Sequence, residues 1–456
     1  MKPDKARERL WIKNPLAIFS QNECGGGVVV CQEKIVELVP KGKQPKNPTA
    51  ATFDASNYVM LPGLVNTHHH FYQTLTRSFS AALNKPLFPW LKSLYPVWAR
   101  LNPEDIYIST RLALAELLLS GCTTTADHHY IFPDGLSEFL GQQVLASEEL
   151  GVRLTLTRGS MSLGEKQGGL PPDSVVQNEQ DILDASEKAI KAYHDGSDGS
   201  FLQVALAPCS PFSVTTELME ATSSLANDFG VRMHTHLAET DDETVFCLEK
   251  FGLRPLDYLE SVGWLQETTW LAHGIHFLQE EINRLGKSGI GISHCPSSNM
   301  VLGSGICPAS ELESAGCALG IGVDGSASND GSNMIQELRM AMLLQRLRVG
   351  AENVSHHDAF RWGTSGSAAC LGRSDIGEIS VGKQADLSLF GLDEPRFSGY
   401  DDPLAAILLS GAHSAAYVMV GGKWRVERGQ IVGLDMDEMI QEHRNAAERL
   451  LARVVS

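Results

Sequence analysis

Eight times after about residue 59, a short apolar run ends in polar residues and gives way to a helical stretch. The runs are YVMLPGLVNTHHH, CTTTADHHY, VRLTLTRGSM, LQVALAPCSPF, VRMHTHLAE, TTWLAHGIH, GIGISHCPSS and CALGIGVDGSAS. Between them lie amphipathic segments such as IYISTRLALAELLLSG (106–121), with a glycine where a helix C-cap belongs. Strand-then-helix units repeated eight times, mostly 30 to 60 residues apart, predict an α/β fold of the (β/α)8 TIM-barrel kind. In such a barrel the strand C-termini form the active face, and here those ends carry most of the histidines.

The flanks read differently. Residues 15–58 alternate in short strands (LAIF, GVVVC, KIVELVP), and 376–432 do the same (IGEISVGKQADLSLF, AAYVMVGGKWRVERGQIVG). The expected organisation is a small β-sandwich domain built from both chain ends (1–60 and 372–432), a catalytic barrel over 61–371, and a C-terminal helix over 433–456. The chain's 456 residues suit such a plan at about 150 residues per domain, one barrel taking most of the length.

Composition narrows the partners. With 55 acidic against 37 basic residues the net charge is −18, and no basic run is present. That balance argues against a phosphate backbone as ligand, so no nucleic acid is expected, whereas an uncharged heterocycle stays open. The nine cysteines are scattered without a C-x-x-C pair and read as reduced thiols. No apolar run approaches the roughly 20 residues of a membrane span, and the N-terminal stretch lacks a signal-peptide core, so no membrane association and a cytoplasmic location are expected.

The chemistry sits on the strand ends. In NTHHH, alternation across an extended backbone turns His68 and His70 to one side and His69 to the other. Alone, such a pair could simply be two polar residues capping a strand. The stretch MHTHLAE adds His234 and His236 in the same alternation, with Glu239 three residues beyond. LAHG places His273 at the end of the sixth run, and GVDGSASND places Asp324 at the end of the eighth. Neutral imidazoles with one carboxylate are the donor set of a catalytic Zn²⁺ that keeps a position open for water.

The motifs PGLVNTHHH, GCTTTADH, HTHLAE, HCPSSNMVLGSG and GVDGSASND, spread over nearly the whole chain, resemble those of amidohydrolase-superfamily deaminases, in the branch that holds guanine deaminases and triazine hydrolases. The resemblance implies His68, His70, His236 and Asp324 as metal ligands, with His69 packed away. Binuclear members carry a carboxylated lysine after the fourth strand. Here that strand ends in ALAPCSPF, so one divalent metal is expected: zinc, with iron as the alternative.

The resemblance further implies the mechanism. The metal lowers the pKa of its water to about 7. Glu239 shuttles protons, His273 bonds the water or the charge developing at the attacked carbon, and Asp324 can accept the water's proton as well as ligate. His234, His276 and His294 lack that alignment and read as supporting or structural.

Gln73 resembles the glutamine with which guanine deaminases hold the purine's amide edge, but Cys209 stands where those enzymes place an arginine. With TRGSMSLG…GGLPPDS, this departure resembles members that convert 8-oxoguanine to uric acid and ammonia. Guanine, pterins such as isoxanthopterin, and hydroxytriazines are the alternative substrates. A metal-free scaffold is the non-enzymatic alternative, disfavoured by the intact ligand set. Tyr130, Trp90 and Trp98 could stack on a flat ring, with core packing the favoured role for each. A homodimer is compatible with the resemblance.

Overall fold

The computed structural model describes residues 9–133 and 139–455. The first eight residues and Ser456, which the sequence reading includes in the β domain and the last helix, lie outside the described residues.

Eight parallel strands close into a barrel in chain order: Leu64–Asn66, Cys122–Asp127, Arg153–Ser160, Leu202–Pro208, Arg232–Leu237, Thr269–His273, Gly291–His294 and Ala318–Ile321. All eight lie within the eight apolar runs. Closure comes where Ile321 of the last strand pairs with Asn66 of the first. Side-chain hydrogen bonds reinforce that seam: the Val323 backbone N–H donates to Asn66 Oδ1 (2.9 Å), while Asn66 Nδ2 donates to Thr125 Oγ1 (3.0 Å). The helix that leads into the second strand, Pro103–Leu119, starts three residues earlier than the apolar pattern suggests. Asn102 and Asp105 cap it reciprocally, and proline takes the first helical position. Gly121 follows at φ 92°, a left-handed conformation that glycine adopts freely.

The two flanks meet as expected. A six-stranded sheet orders Gln430–Ile431, Lys423–Glu427, Tyr417–Val420, Leu387–Gly391, Tyr58–Pro62 and Ala17–Ile18, so its centre pairs the two ends of the chain antiparallel, Leu389 opposite Met60. A four-stranded sheet orders Lys34–Val39, Gly27–Cys31, Arg9–Lys13 and Ala51–Asp54. Ile12, Val28, Val30 and Ile35 of the second sheet and Met60, Leu387, Leu389 and Met419 of the first share one buried cluster, which makes the pair a sandwich. Two details differ from the sequence pattern. Residues 376–385 form no strand, because Gly377 and Gly382 bend the chain at φ 80° and 91°. Arg9–Lys13 does form one.

The last helix, Met436–Val455, packs on the Pro103–Leu119 helix and on the turn Phe71–Thr76, where His443 Nε2 meets Thr74 Oγ1 at 3.0 Å. It therefore braces the turn that carries Gln73. No helix among the described residues is long and apolar enough to cross a membrane.

One buried ion pair joins the sandwich to the barrel. Arg153, at the start of the third barrel strand and fully buried, donates Nε–H and Nη2–H to Asp386 (2.8 and 3.1 Å), and Asp386 also accepts from the Gly421 backbone N–H at 2.7 Å. Removing one partner of such a pair strands the other charge without water, at about 3–5 kcal/mol. Asp386→Ala is therefore expected to lower the stability measured by chemical unfolding by about that amount. A loss within about 0.5 kcal/mol, as for an ordinary surface change, would show that the pair does not hold the two units together.

Candidate active site

The barrel ends deliver the predicted side chains to one place. His68 and His70 lie beyond the last ladder residue of the first strand, Asn66, yet the backbone stays extended and the alternation persists. His69 turns away, with its Nε2 at 2.9 Å from Ser332 Oγ. His236 sits in the fifth strand, His273 ends the sixth, and Asp324 follows the eighth.

Hydrogen bonds fix each ring's tautomer. A carbonyl can only accept, so His70 Nδ1–H donates to the His128 carbonyl (2.7 Å) and His236 Nδ1–H to the Cys209 carbonyl (2.7 Å). His234 Nδ1–H donates to the Trp270 carbonyl (2.8 Å), which leaves its Nε2 as acceptor for His68 Nδ1–H at 2.8 Å. The rings of His68, His70 and His236 thus turn their Nε2 atoms toward one point. His70 Nε2 and His236 Nε2 face each other at 3.2 Å, Asp324 Oδ1 stands 3.2 Å from His70 Nε2 and 3.3 Å from His68 Nε2, and His68 Nε2 is buried with no hydrogen-bond partner.

Burial holds His68 and His236 well below the usual imidazole pKa, so both are neutral. Burial also lowers His70, but Asp324 more than offsets it and the net shift is upward. Burial likewise works against the Asp324 charge, yet the His68 and His70 contacts hold its carboxyl well below the usual range. Imidazole nitrogens and a carboxylate converging in a buried place are the donor chemistry of a divalent cation: the residues fit one. A second grouping, His68, His236 and His128, also brings its ligand atoms together. The sequence reading did not single out His128, whose Nε2–H is committed to the Ala207 carbonyl (2.9 Å).

Glu239 and His273 complete the bowl. His273 Nδ1–H donates to Asn299 Oδ1 (2.9 Å), so its Nε2 faces Glu239 Oε2 at 3.5 Å and Asp324 Oδ2 at 3.9 Å. Burial, with the Asp324 charge adding to it, pushes the Glu239 carboxyl well above its ordinary range. Its backbone is pinned by Glu243, whose carboxylate accepts from the Ala238 and Glu239 N–H groups, both at 2.9 Å. Ala238, His273 and Asp324 adopt φ of 54°, 72° and 62°, conformations that cost non-glycine residues roughly 1–3 kcal/mol and cluster at functional sites. These bends turn the strand-end side chains into the bowl.

These groups line a cavity of about 30 Å³, together with Gln73, Cys209, Tyr130, Trp90, Phe212 and Ser328. Gln73 fits only because residue 325 is glycine: a Cβ there would lie 1.9 Å from its Oε1. The Cys209 thiol is pushed up to about 12 by burial and stays neutral. Trp98, whose Nε1–H donates to Thr76 Oγ1 at 3.2 Å, packs in the core, and so do Tyr130 and Trp90, which also line the cavity. His234 supports His68. His276 bonds the Ser304 carbonyl (2.8 Å), and His294 is fully buried, both outside the cavity lining. Sequence reasoning missed Asn299 and Glu243, which touch the predicted residues only through the fold.

Residues 59–425 match the amidohydrolase family. The chain is similar to the 8-oxoguanine deaminase of Pseudomonas aeruginosa, 62% identical over 97% of this chain and 99% of that one. It is similar to an isoxanthopterin deaminase of an unknown prokaryotic organism, 34% identical over 91% and 90%. Among solved structures it resembles atrazine chlorohydrolase of Arthrobacter aurescens TC1 complexed with zinc, with a TM-score of 0.91 and 29% identity over 96% of this chain and 100% of that one. With the barrel, the converging lone pairs and a match over most of its length, the chain belongs to the amidohydrolase family.

Proposed function

We propose that this protein hydrolyses 8-oxoguanine to uric acid and ammonia. The observation that carries the reading is 62% identity, over 97% of the chain, to a protein named for that reaction. The relative named for isoxanthopterin shares 34% and serves as the comparison substrate class.

The chemistry assigned to each residue follows from the site. His68, His70, His236 and Asp324 would hold one divalent cation, with zinc favoured by the three nitrogens and one carboxylate. When bound, such a cation supplies Lewis acidity that makes a water at its open position acidic near neutral pH. In the net reaction a water oxygen bonds to C2 of the purine and the C2–amine bond breaks. Glu239 would take the two protons of the water in turn, passing one to the ring nitrogen N3 and the other to the leaving amine, which departs as ammonia. Its desolvated surroundings suit it to hold a proton between those steps. His273, held by Asn299, faces the carbon under attack, and Asp324 can accept the water's proton. Gln73 meets the pyrimidine edge of the base.

Cys209 bears on the choice of purine. In guanine N7 is a bare acceptor and an arginine donor beside it would be matched. In 8-oxoguanine N7 carries hydrogen and C8 carries oxygen, so an arginine at N7 would oppose donor to donor, and an unpaired buried group costs about 1–3 kcal/mol. A neutral thiol removes the conflict.

Three outcomes test the reading. In a panel of 8-oxoguanine, guanine, isoxanthopterin and hydroxytriazines, kcat/KM for 8-oxoguanine should exceed that for guanine by at least about 100-fold, and Cys209→Arg should narrow the gap chiefly by harming the 8-oxo substrate. Guanine turned over equally well would sink the assignment. Glu239→Gln keeps the shape and removes the proton shuttle, so turnover should drop by about 10²–10⁴-fold or more while metal analysis finds the cation retained. Near-normal turnover would remove Glu239 from the chemistry. With no lysine after the fourth strand, the purified protein should carry one zinc per chain, and Asp324→Ala should lose activity. Two equivalents, both needed for turnover, would refute the single-cation site.

A further inference from the structure

The helix Asp241–Phe251 is introduced by TDDE, the spacing of a capping box. In that motif the N-cap hydroxyl takes the N–H of the third helical residue, whose carboxylate reaches back to the N-cap N–H. The structure makes the first half: Thr240 Oγ1 accepts from the Glu243 N–H at 3.4 Å. The Glu243 carboxylate reaches past the cap instead, Oε1 taking the Ala238 N–H and Oε2 the Glu239 N–H, both at 2.9 Å. Glu243 is fully buried, and burial pushes its carboxyl up to about 7 while the two N–H contacts act the other way.

The Ala238–Glu239 peptide is held from both sides. Glu243 takes its N–H, and its carbonyl accepts from the Ile275 and His276 N–H groups at 2.8 and 2.9 Å. One residue earlier, the Leu237 carbonyl accepts from the Gly274 N–H at 3.2 Å. Residues 274–276 directly follow His273, so this junction ties together the strand ends that carry Glu239 and His273. The two side chains leave it with Glu239 Oε2 3.5 Å from His273 Nε2. Successive N–H groups beside a left-handed residue, here Ala238 at φ 54°, form a concavity for an anion. In this chain the anion is the protein's own side chain.

We propose that Glu243 is a positioning residue for the proton shuttle: its carboxylate holds the Ala238–Glu239 peptide in the turned conformation that aims Glu239 at the reacting atoms. The inference rests on the reading of Glu239 as the shuttle and applies to whichever heterocycle the site deaminates. Two converging N–H donors call for an acceptor that carries no hydrogen. A glutamine of the same size would accept from one N–H and set its own amide hydrogens against the other. The turn at Ala238 would lose half its restraint, and proton transfer from a displaced side chain is slow because catalysis depends steeply on position. Diverting the carboxylate from the helix cap breaks a local preference, as functional sites do.

Glu243→Gln in the metal-loaded enzyme supplies the test, alone and combined with Glu239→Gln. Alone, it should lower kcat for the best substrate by about 10–100-fold while KM moves by less than about threefold and the cation is retained. Combined, it should change the residual kcat of Glu239→Gln by less than about twofold, because a residue that acts through Glu239 then has nothing to position. Glu243→Asp, which draws both acceptor oxygens back by one methylene, enters the same cycle if the glutamine variant does not fold. An unchanged kcat, a loss of cation that accounts for the lost turnover, equal falls in both backgrounds, or failure of both variants to fold would each overturn the proposal. Glu239→Gln by itself keeps the two ideas apart. If its turnover is near normal, the shuttle reading fails and the positioning role with it. If it is crippled and Glu243→Gln still costs its full factor on top, the positioning role alone is rejected.

Discussion

Ligand atoms are forced together here among buried side chains. His70 and His236 hold bare nitrogens 3.2 Å apart, with Asp324 Oδ1 3.2 Å from one of them. The rings cannot swing away, because their other nitrogens are bonded to carbonyls at the ends of different strands: His128 beyond the second, Cys209 beyond the fourth, and Trp270, through His234, in the sixth. Barrel closure is therefore what builds the donor set. A slip of one residue in strand register would reverse the direction of those carbonyls and free the rings to turn. Mutual repulsion among neutral donors and a carboxylate is relieved by a cation, so the fold stores the requirement for one in its hydrogen-bond pattern.

The same constraint explains where the backbone is bent against its preference. Ala238, His273 and Asp324 each carry a left-handed φ at a strand end, where the chain would otherwise run on past the bowl. Each bend has a restraint close by. Glu243 takes both N–H groups at the first, Asn299 holds the His273 ring, and the Gly325 N–H donates to Asp324 Oδ1 at 2.7 Å. The packed barrel beneath over-determines the geometry, which is the condition under which local strain persists.

Much of this was legible because it is local. Period-two alternation survives from a strand into the extended residues beyond it, so H-x-H could be read as two converging side chains although the ladder stops at Asn66. Apolar runs and C-capping glycines marked the units of the barrel. What stayed hidden depends on how the chain turns in space, near in sequence or far. Glu243 looks like one more acid in a helix's first turn until the fold lays it under residue 239. Asn299 lies 26 residues from the ring it holds. The Ala51–Asp54 strand is mostly exposed and pairs in parallel with Arg9–Lys13, so neither segment has the alternating buried face that would betray it. Tyr130 and Trp90 do both jobs, packing in the core and lining the cavity, and a buried aromatic in either place leaves the same trace in sequence.

The buried lining of the cavity also bears on how such a site can discriminate. In water, a mismatched purine would exchange one hydrogen bond for another at little net cost. Among buried side chains an unpaired group costs about 1–3 kcal/mol, so polar atoms of the ligand must find their complements. Charge adds little discrimination here, because Cys209 and Tyr130 both stay neutral. Selection must then act through the direction of hydrogen bonds, donor against acceptor, around a flat uncharged ring. That is consistent with a chain whose charge of −18 offers nothing to attract an anion, and whose cavity gathers thiol, phenol and amide groups beside its acid–base machinery.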